Sequence, residues 1–320
     1  MRKDVISYLT CPICNNELKL KATIESSEVI SGSLICGGCN KAYPIIDGIP
    51  RLVIGDLTVK EEKTSESFGY AWQLYGSRLS PALNREFLER LPPWKPEDFK
   101  GQVVLDVGCG AGRLSRLASD FGAREVFALD VGSAVDAAKQ LSANYPNIHF
   151  IQANLFNPPF KPLFDMVFCM GVLHHTAAPF KAFKAILNPL KEGGKIGVWV
   201  YGKEGNEIMG SLLNLIRYFT INLSNSTKVV LSKTMVQMEE VIYKSLTRYL
   251  KPKYYGEYLN YLNTVLSNSD RNYIAFDFLS TPIVHYISKQ DLVAFVDKNG
   301  LKQCNIVQIN NNSYGVTAIK

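Results

Sequence analysis

Four cysteines near the N-terminus stand in two pairs, CPIC at 11–14 and CGGC at 36–39. Two residues between sulfurs let both thiolates of a pair reach one ion, and four thiolates at about 2.3 Å give the closed tetrahedral site of structural zinc. Residues 1–55 supply few apolar side chains for a core, so their fold needs the stabilisation that a bound metal ion gives. Disulfides or a redox pair are the alternatives. We expect a structural Zn²⁺ with no chemistry of its own, held by Cys11, Cys14, Cys36 and Cys39.

A strand, a glycine loop and a helix start follow one another in VVLDVGCGAG at 103–112. The loop alone is weak evidence, because nicotinamide dinucleotide sites and chance also supply one. Asp106 precedes the glycines, where a carboxylate suits an ammonium group better than a pyrophosphate. Asp130 ends the next strand, placed to accept both hydroxyls of a ribose. Asn154 follows the third strand, where an amide could meet an adenine amino group.

Candidate bases follow the later strands. His174 and His175 come just after the fourth strand, and Asp277 and His285 lie in FDFLSTPIVHYIS. A base is needed only if the acceptor must lose a proton, and a neutral imidazole suits this near pH 7 because its unperturbed pKa is about 6.5. Neighbouring residues leaving a strand tend to point to opposite sides, so one of the first two should face the acceptor. We favour His175, with His174 and His285 as further catalytic candidates.

The elements that position these residues are indicated by periodicity and turn residues. After residue 100 strand and helix patterns alternate, which predicts a doubly wound α/β fold with a seven-stranded, mostly parallel sheet. Strands are expected at 103–107, 125–130, 148–152, 164–170, 195–201, 301–309 and 314–319, and helices at 112–122, 133–144, 179–190 and 288–299.

Domain boundaries follow from changes in these patterns. We expect a ribbon at 1–55, a linker and entry helices at 56–100 with the polar residues 56–67 as the linker, and an α/β domain at 101–320. Residues 205–265 have helical patterns without a strand. Insertions at the carboxyl ends of strands lie over the ligand crevice of an open α/β sheet, so this block is predicted to be a helical cap.

Charge and composition are those of a soluble globular protein. Lys and Arg number 35 against 29 Asp and Glu, a net charge of +6. The basic run of Lys244, Arg248, Lys251 and Lys253 is interpreted as a solvated helix end. Nucleic-acid binding is therefore permitted but not indicated. No apolar stretch has the length of a signal peptide core or a membrane span, so we expect a cytoplasmic protein with reduced or metal-bound cysteines.

The segment after the second cysteine pair, AYPIIDGIPRLV at 42–53, resembles the small zinc-ribbon activator proteins of tRNA methyltransferases. In those proteins the cysteine pairs are followed by a Tyr-Pro-Ile-x-Asp-Gly-Ile-Pro strand, and the match covers about residues 8–54. Members occur alone, as activators, or fused ahead of a methyltransferase domain. The resemblance therefore raises the expectation of such a domain in the rest of the chain.

Residues 100–202 resemble class I S-adenosylmethionine methyltransferases in DVGCGAG, Asp130, QANLFNPPF, FDMVFCMGVLHHT and LKEGGKIGVWVY. The resemblance implies S-adenosyl-L-methionine as cofactor, with Asn154 in place of a more usual Asp. The cofactor-binding residues that it implies are Asp106, Gly108, Cys109, Gly110, Asp130, Val131, Asn154, Leu155, Met170 and Gly171.

Three residues outside these motifs have two interpretations each. Tyr70 and Trp72, in FGYAWQLYG at 68–76, either cover the cofactor or pack the entry helix on the sheet. Arg113, directly after the glycine loop, either contacts a carboxylate of cofactor or substrate or is an exposed residue of a first helical turn.

The predicted function is methyl transfer from S-adenosylmethionine to a small-molecule acceptor, such as a hydroxyl of a sugar or secondary metabolite. The cap segment 208–223 is apolar, with Arg217 as its one charged residue. It either lines an apolar substrate pocket, forms the core of the cap, or forms a dimer interface. The last interpretation leaves open a homodimer that assembles through the cap. One alternative is an RNA (tRNA or rRNA) methyltransferase, disfavoured by the weak charge bias and by MGVLHH in place of an amine-binding motif. The other is a non-catalytic partner-binding protein, disfavoured by the nearly intact cofactor residues.

Overall fold

Two sheets organise the chain, which a computed structural model describes over residues 1–22, 28–55, 57–76, 82–249 and 255–320. Of the predicted basic run, Lys251 and Lys253 lie outside the described residues. Among the helices within the described ranges, none has both the length and the apolar character needed to cross a membrane.

The N-terminal ribbon is a four-stranded antiparallel sheet in the order β1-β2-β3-β4. Its apolar face is short, with Leu34 and Tyr43 among the few large buried side chains that the strands supply. A short 3-10 helix, Lys3–Tyr8, precedes the sheet. The strands are β1 (Leu18–Ala22), β2 (Gly32–Cys36), β3 (Ala42–Ile46) and β4 (Ile49–Pro50).

Two helices lead into the α/β domain, α1 (Val59–Tyr75) and α2 (Ala82–Glu89). The start of α1 at Val59 corrects the expectation that residues 56–67 form a linker. Thr58 and Glu61 form a capping box, in which the Thr58 hydroxyl accepts from the Glu61 amide and the Glu61 carboxylate accepts from the Thr58 amide. This pairing stabilises the first turn of a helix despite its polar composition.

The second sheet has seven strands in the order β10-β11-β9-β8-β5-β6-β7, and this confirms the predicted mostly parallel, doubly wound sheet. Strands β9, β8, β5, β6 and β7 run parallel, while β11 is antiparallel to both β9 and β10. The strands are β5 (Val103–Val107), β6 (Glu125–Asp130), β7 (Ile148–Gln152), β8 (Phe164–Met170), β9 (Leu190–Tyr201), β10 (Lys302–Ile309) and β11 (Ser313–Ile319).

Helices connect these strands and cover both faces of the sheet. The chain leaves β5 towards β6 and β7 and then returns to β8 on the other side of β5, so the strand order reverses between β5 and β8. Ligands of open α/β sheets bind at the carboxyl ends of the strands at such a point. The connecting helices are α3 (Arg113–Asp120), α4 (Ala134–Leu141) and α5 (Pro179–Ile186).

Within the described residues, four helices between β9 and β10 form the cap, which runs from Glu207 to Ser280. The last of them packs against α1 through ring contacts that include Tyr70 with Phe276 at 5.7 Å and Trp72 with Tyr273 at 5.0 Å. The cap is thereby joined to the entry helix above the strand ends. Its helices are α6 (Glu207–Thr220), α7 (Asn225–Tyr249), α8 (Tyr255–Thr264) and α9 (Asn268–Ser280), and α10 (Lys289–Lys298) follows before β10.

The ribbon packs against β7, the edge strand of the large sheet. The Leu52 amide donates to the Gln152 carbonyl at 2.7 Å, and Arg51 forms an ion pair with Asp136 of α4. Since β7 leads into the loop that carries Asn154, the ribbon supports one wall of the strand-end crevice. Apolar residues of both parts share one core cluster, among them Val5, Leu9, Tyr43, Phe127 and Phe160.

Candidate active site and metal cluster

The four predicted cysteine sulfurs lie together in the ribbon. Those of Cys11 and Cys39 are 3.7 Å apart, those of Cys14 and Cys36 are 3.4 Å apart, and all four lie within 4.8 Å of one another. Ligands at about 2.3 Å from a tetrahedral ion are about 3.8 Å apart, so the cluster has the size of a four-thiolate metal site. The Gly38 and Cys39 amides donate to the Cys36 sulfur at 3.3 and 3.4 Å, an arrangement that favours a thiolate.

A cavity of about 1220 Å³ opens at the carboxyl ends of β5, β6 and β8, beneath α1 and the cap. Sites for a single small ligand usually measure about 300–1,000 Å³, so this cavity has room for a cofactor and for the group it modifies. Of the ten predicted cofactor contacts, all but Gly110 line it, namely Asp106, Gly108, Cys109, Asp130, Val131, Asn154, Leu155, Met170 and Gly171.

Asp130 holds the glycine loop in place. One carboxylate oxygen accepts from the Gly110 amide and the other from the Gly132 amide, both at 2.9 Å. Burial raises the pKa of Asp130, while these amide bonds oppose the rise. A carboxylate offers about four lone-pair positions. Asp130 therefore shapes the loop and still has acceptor capacity facing the cavity.

Asp106 anchors α3 to β5. Its carboxylate accepts a hydrogen bond of 2.6 Å from the Ser115 hydroxyl, and burial raises its pKa to about 7. The ammonium ligand predicted for it would have to share a carboxylate that Ser115 already binds. Burial also raises the pKa of the Cys109 thiol, which keeps it protonated and agrees with a packing role.

The α1 aromatic residues differ in their roles. Trp72 lines the cavity and lies against Gly110, where an added Cβ would come within 2.5 Å of the indole nitrogen. Gly110 also has a φ of 52°, so both space and backbone conformation require glycine there. Tyr70 instead stacks on Phe276 within an aromatic cluster. On the opposite wall the Asn154 oxygen accepts from the Phe156 amide at 3.0 Å, which fixes the loop after β7.

Of the three predicted histidines, only His175 lines the cavity. Its Nδ1 lies 2.8 Å from the Ile283 carbonyl oxygen. His174 is fully buried, and its Nδ1 accepts from the Tyr201 amide at 3.3 Å. His285 is exposed, and its amide donates to the His174 carbonyl. Both buried rings lie in one 3-10 turn with centroids 4.2 Å apart, so they do not point to opposite sides.

Asp277 and Tyr201 complete the surroundings of His175. The Tyr201 hydroxyl donates to one Asp277 oxygen at 3.3 Å, and the Thr281 hydroxyl donates to the other at 2.5 Å. Burial lowers the pKa of His175, and the negative charge of Asp277 partly offsets this. His175 is therefore neutral near pH 7 and lies near a carboxylate that would stabilise its protonated form.

Several residues of the cavity wall were missed in the sequence. Trp199 and Tyr201 share one face at the end of β9, which strand alternation could have indicated. Glu86 and Arg90 reach the cavity because α2 packs on α3. No local sequence pattern predicts that contact between the two helices. Arg113, by contrast, had been singled out in the sequence; it lines the cavity, with its Nη1 donating to Asn84 at 2.9 Å.

Family comparisons agree with this geometry. Residues 105–198 match the family described as "Methyltransferase domain", and residues 2–48 match the family described as "Trm112p-like protein". The chain carries an S-adenosylmethionine-dependent methyltransferase domain behind a Trm112p-like domain. The matched methyltransferase residues contain the glycine loop, Asp130, Asn154 and His175.

Curated relatives of this methyltransferase are tRNA U34 carboxymethyltransferases. The protein of Tolumonas auensis is 34% identical over 114 residues, which are 34% of this chain and 35% of that protein. The protein of Vibrio cholerae El Tor is 32% identical over 114 residues, with 34% and 35% covered. The match thus spans about a third of the length of these relatives. A solved complex of the Haloferax volcanii Trm112 activator with a methyltransferase is 14% identical, with 80% of this chain and 96% of that chain covered and a TM-score of 0.45.

The expectation of a small-molecule acceptor, with nucleic acid not indicated, is wrong in the light of these relatives, whose name gives tRNA as their substrate. Net charge failed as a guide because it averages over the whole chain and does not report the local surface that meets a ligand. The apolar sequence of the cap was also a poor guide to the acceptor, because aromatic and apolar walls suit an unstacked nucleobase as well as a small apolar molecule.

Proposed function

We propose that the protein is an S-adenosylmethionine-dependent methyltransferase that modifies a nucleobase of tRNA. The observation that carries this is the 34% identity to tRNA U34 carboxymethyltransferases in a chain that also has a Trm112p-like domain. That domain resembles the activator proteins of tRNA methyltransferases. Two independent parts of one chain therefore point to the same substrate class.

The cavity fits the cofactor. The free acceptor capacity of Asp130 suits a ribose diol, and the wall of Val131, Asn154 and Leu155 suits an adenine ring. Met170 ends β8, Gly171 follows it, and both line the cavity together with His175. The sulfonium of the bound cofactor supplies a methyl group that needs no further activation.

The cavity has an aromatic part that suits a flipped base. Trp199, Tyr201 and Tyr286 line it, and the last two rings are stacked in near-parallel planes, 22° apart with centroids at 6.3 Å. Enzymes that modify a nucleobase turn it out of its stack into a pocket, where aromatic side chains hold its faces. A cavity of about 1220 Å³ is larger than most sites for one small ligand, which supports room for a base beside the cofactor.

His175 serves as the base in this mechanism. A carbonyl oxygen can only accept, so Ile283 holds the proton of the neutral ring on Nδ1 and leaves the lone pair on Nε2. As the acceptor atom bonds to the methyl carbon and the carbon–sulfur bond breaks, Nε2 takes the acceptor's proton. Asp277 then stabilises the imidazolium, and Tyr201 and Thr281 fix the carboxylate.

The cysteine cluster holds zinc in this proposal. Four thiolates in a closed tetrahedron are typical of a structural Zn²⁺, and such an ion adds folding free energy to a small ribbon. Through the contacts of Leu52 and Arg51 with β7 and α4, the ion stabilises the wall that carries Asn154.

The proposal is tested by incubating the protein with methyl-labelled S-adenosylmethionine and unfractionated RNA from cells of the same species that lack its gene, because RNA from cells that make the protein would already be methylated. Label should appear in the tRNA size fraction and become acid-soluble after ribonuclease treatment. Label confined to ribosomal RNA or protein would overturn the assignment of tRNA. A heat-denatured sample serves as the control for adsorption.

A further inference from the structure

The cap helix α6 exposes large apolar side chains and buries two polar ones. Arg217 and Thr220 face inward, where their side chains donate to two carbonyl oxygens of α9, at 3.0 and 2.9 Å. A surface helix normally buries its apolar stripe and exposes its polar side chains, so this arrangement needs a physical reason. The large apolar side chains on the outer side are Leu212 (49% exposed), Leu215 (58%), Tyr218 (76%) and Phe219 (68%).

These four side chains form one stripe along the helix. Leu212, Leu215 and Phe219 follow one another at intervals of three and four residues, which is the spacing by which one helix packs along another. Tyr218 flanks them, with its ring centroid 5.3 Å from that of Phe219. Single exposed apolar residues are common, but a continuous patch marks a surface that another molecule covers.

The lack of charge on this stripe limits what can cover it. The exposed side chains from Ser211 to Phe219, a stretch that the structure describes without gaps, carry no charge. A membrane surface or an RNA backbone would call for lysine or arginine beside the apolar residues. The arginine of that stretch, Arg217, is buried and bonded to α9. A second copy of the chain needs no charge there, because a face that meets itself about a two-fold axis sets charges near the axis against their like.

We infer that α6 packs antiparallel on α6 of a second copy, about a two-fold axis near Leu215, so that the protein is a homodimer. Leu212 then faces the partner subunit's Phe219, and the two Leu215 side chains meet at the axis. Leu213 of the same helix lines the cavity, so the contact also supports a wall of the site in each copy. The inference goes beyond the proposed function and does not depend on it.

The charges at the two ends of α6 agree with an antiparallel pair. Glu207 is exposed at the N-terminal end. Lys63 of α1 lies at the C-terminal end, where its Nζ donates to the Asn222 side-chain oxygen at 3.1 Å. In the antiparallel arrangement each Glu207 comes near the partner's Lys63, and the two helix dipoles oppose each other favourably.

The size of the stripe fits such a dimer. At these exposures the four side chains present on the order of 500 Å² of surface, since one aromatic side chain can bury about 150–250 Å². Homodimer interfaces are about 65% apolar, so the stripe together with a polar rim corresponds to about 800 Å² per copy. A specific interface of standard size buries about that area on each partner.

Sedimentation velocity of the full chain over a roughly hundredfold range of concentration tests the inference, because dimerisation follows mass action. The wild type should sediment with twice the mass of one chain at the upper concentrations. Leu215→Glu sets two carboxylates against each other at the axis, so the dissociation constant should rise by about a hundredfold or more. The variant should keep the circular dichroism spectrum of the wild type, because Leu215 is exposed in the single chain.

A charge exchange tests the direction of the helices. Glu207→Lys should weaken the dimer, because it sets the new lysine against the partner's Lys63. Adding Lys63→Glu to the same chain should restore the dimer, because opposite charges again face each other. A double variant that dimerises no better than Glu207→Lys alone would contradict the antiparallel pairing.

Two valines of α7 supply matched controls. Val230 and Val241 are 63% and 65% exposed and lie outside α6, so Val230→Glu and Val241→Glu should remain dimers. A wild type that is monomeric at every concentration, a dimer that Leu215→Glu leaves intact, or equal weakening by the α7 variants would overturn the inference. A monomeric wild type that loses tRNA affinity on Leu215→Glu would assign the stripe to RNA instead.

Discussion

The Nδ1 atom of His175 lies 2.8 Å from the carbonyl oxygen of Ile283, in the segment between α9 and α10. This contact fixes the tautomer, because a carbonyl accepts and never donates. It also ties the cavity histidine to the chain that leaves the cap. The orientation of the proposed base therefore depends on the cap being in place.

Replacing His175 by Ala should lower kcat by roughly 10²–10⁴-fold while S-adenosylhomocysteine still binds, because the proposed mechanism uses the ring to remove a proton and not to hold the cofactor. His174→Ala should mainly lower the melting temperature, since His174 is fully buried and packs against Tyr201. Steady-state kinetics and thermal denaturation of both variants give the comparison. Near-full turnover by the His175 variant would show that the base lies elsewhere or that none is needed.

The pH dependence of turnover should report the surroundings of His175. Burial lowers its pKa, Asp277 of α9 raises it, and Arg217 of α6 and the neighbouring His285 lower it further. Activity should therefore fall with acid only below pH 6.5, the ordinary imidazole value.

Asp277→Asn removes the charge that raises the pKa, so the acidic limb should move to still lower pH while kcat falls. Asp297→Asn, an exposed substitution on α10, is the control and should leave the limb in place. An acidic limb that does not move in the Asp277 variant would contradict the coupling of these two residues.

Asp130→Asn should weaken S-adenosylhomocysteine by about tenfold or more, because charge-assisted bonds contribute roughly 1.5–3 kcal/mol each. The loss has two sources, the ribose hydroxyls and the Gly110 and Gly132 amides that the carboxylate holds. Asp120→Asn, on the exposed end of α3, should bind as the wild type does. Unchanged calorimetric affinity in the Asp130 variant would place the ribose somewhere else.

The purified chain should contain about one zinc, as expected for a single four-thiolate site, by inductively coupled plasma mass spectrometry. Cys36→Ser should lose the metal, whereas Cys304→Ser should keep it because Cys304 is exposed and outside the cluster. Since the ribbon and the methyltransferase domain share one core, the melting temperature of the whole chain should fall with the metal. A metal-free wild type with an unchanged melting temperature would refute this.

Local signals in the sequence were sufficient for the sheet and the cysteine cluster. The range 103–107 is β5 itself, because a buried run ending at glycines with positive φ has few other conformations. The cysteine spacing likewise limits how far the two sulfurs of each pair can separate, and the hairpin of β1 and β2 between the pairs brings them together. The start of α1 was recoverable as well, from the Thr58 and Glu61 capping box.

Residues that depend on packing between distant elements were beyond sequence reasoning. Glu86 is a surface-like residue of a short amphipathic helix until α2 packs on α3. The two histidines were assigned by strand alternation, yet they lie in a 3-10 turn where that rule does not apply. The small net charge also led to a small-molecule acceptor being favoured over RNA. Recognition of a substrate depends on the charges of the surface that meets it, which the net charge of the chain does not report.

The most direct test of the account is mass spectrometry of nucleosides from tRNA treated with the protein and S-adenosylmethionine, using tRNA from cells that lack the gene. We expect one nucleoside to gain a methyl group with the wild type, and His175→Ala to yield far less of it. Small molecules extracted from the same cells are treated in parallel. Methylation found only among the small molecules, with every tRNA nucleoside unchanged, would contradict the account.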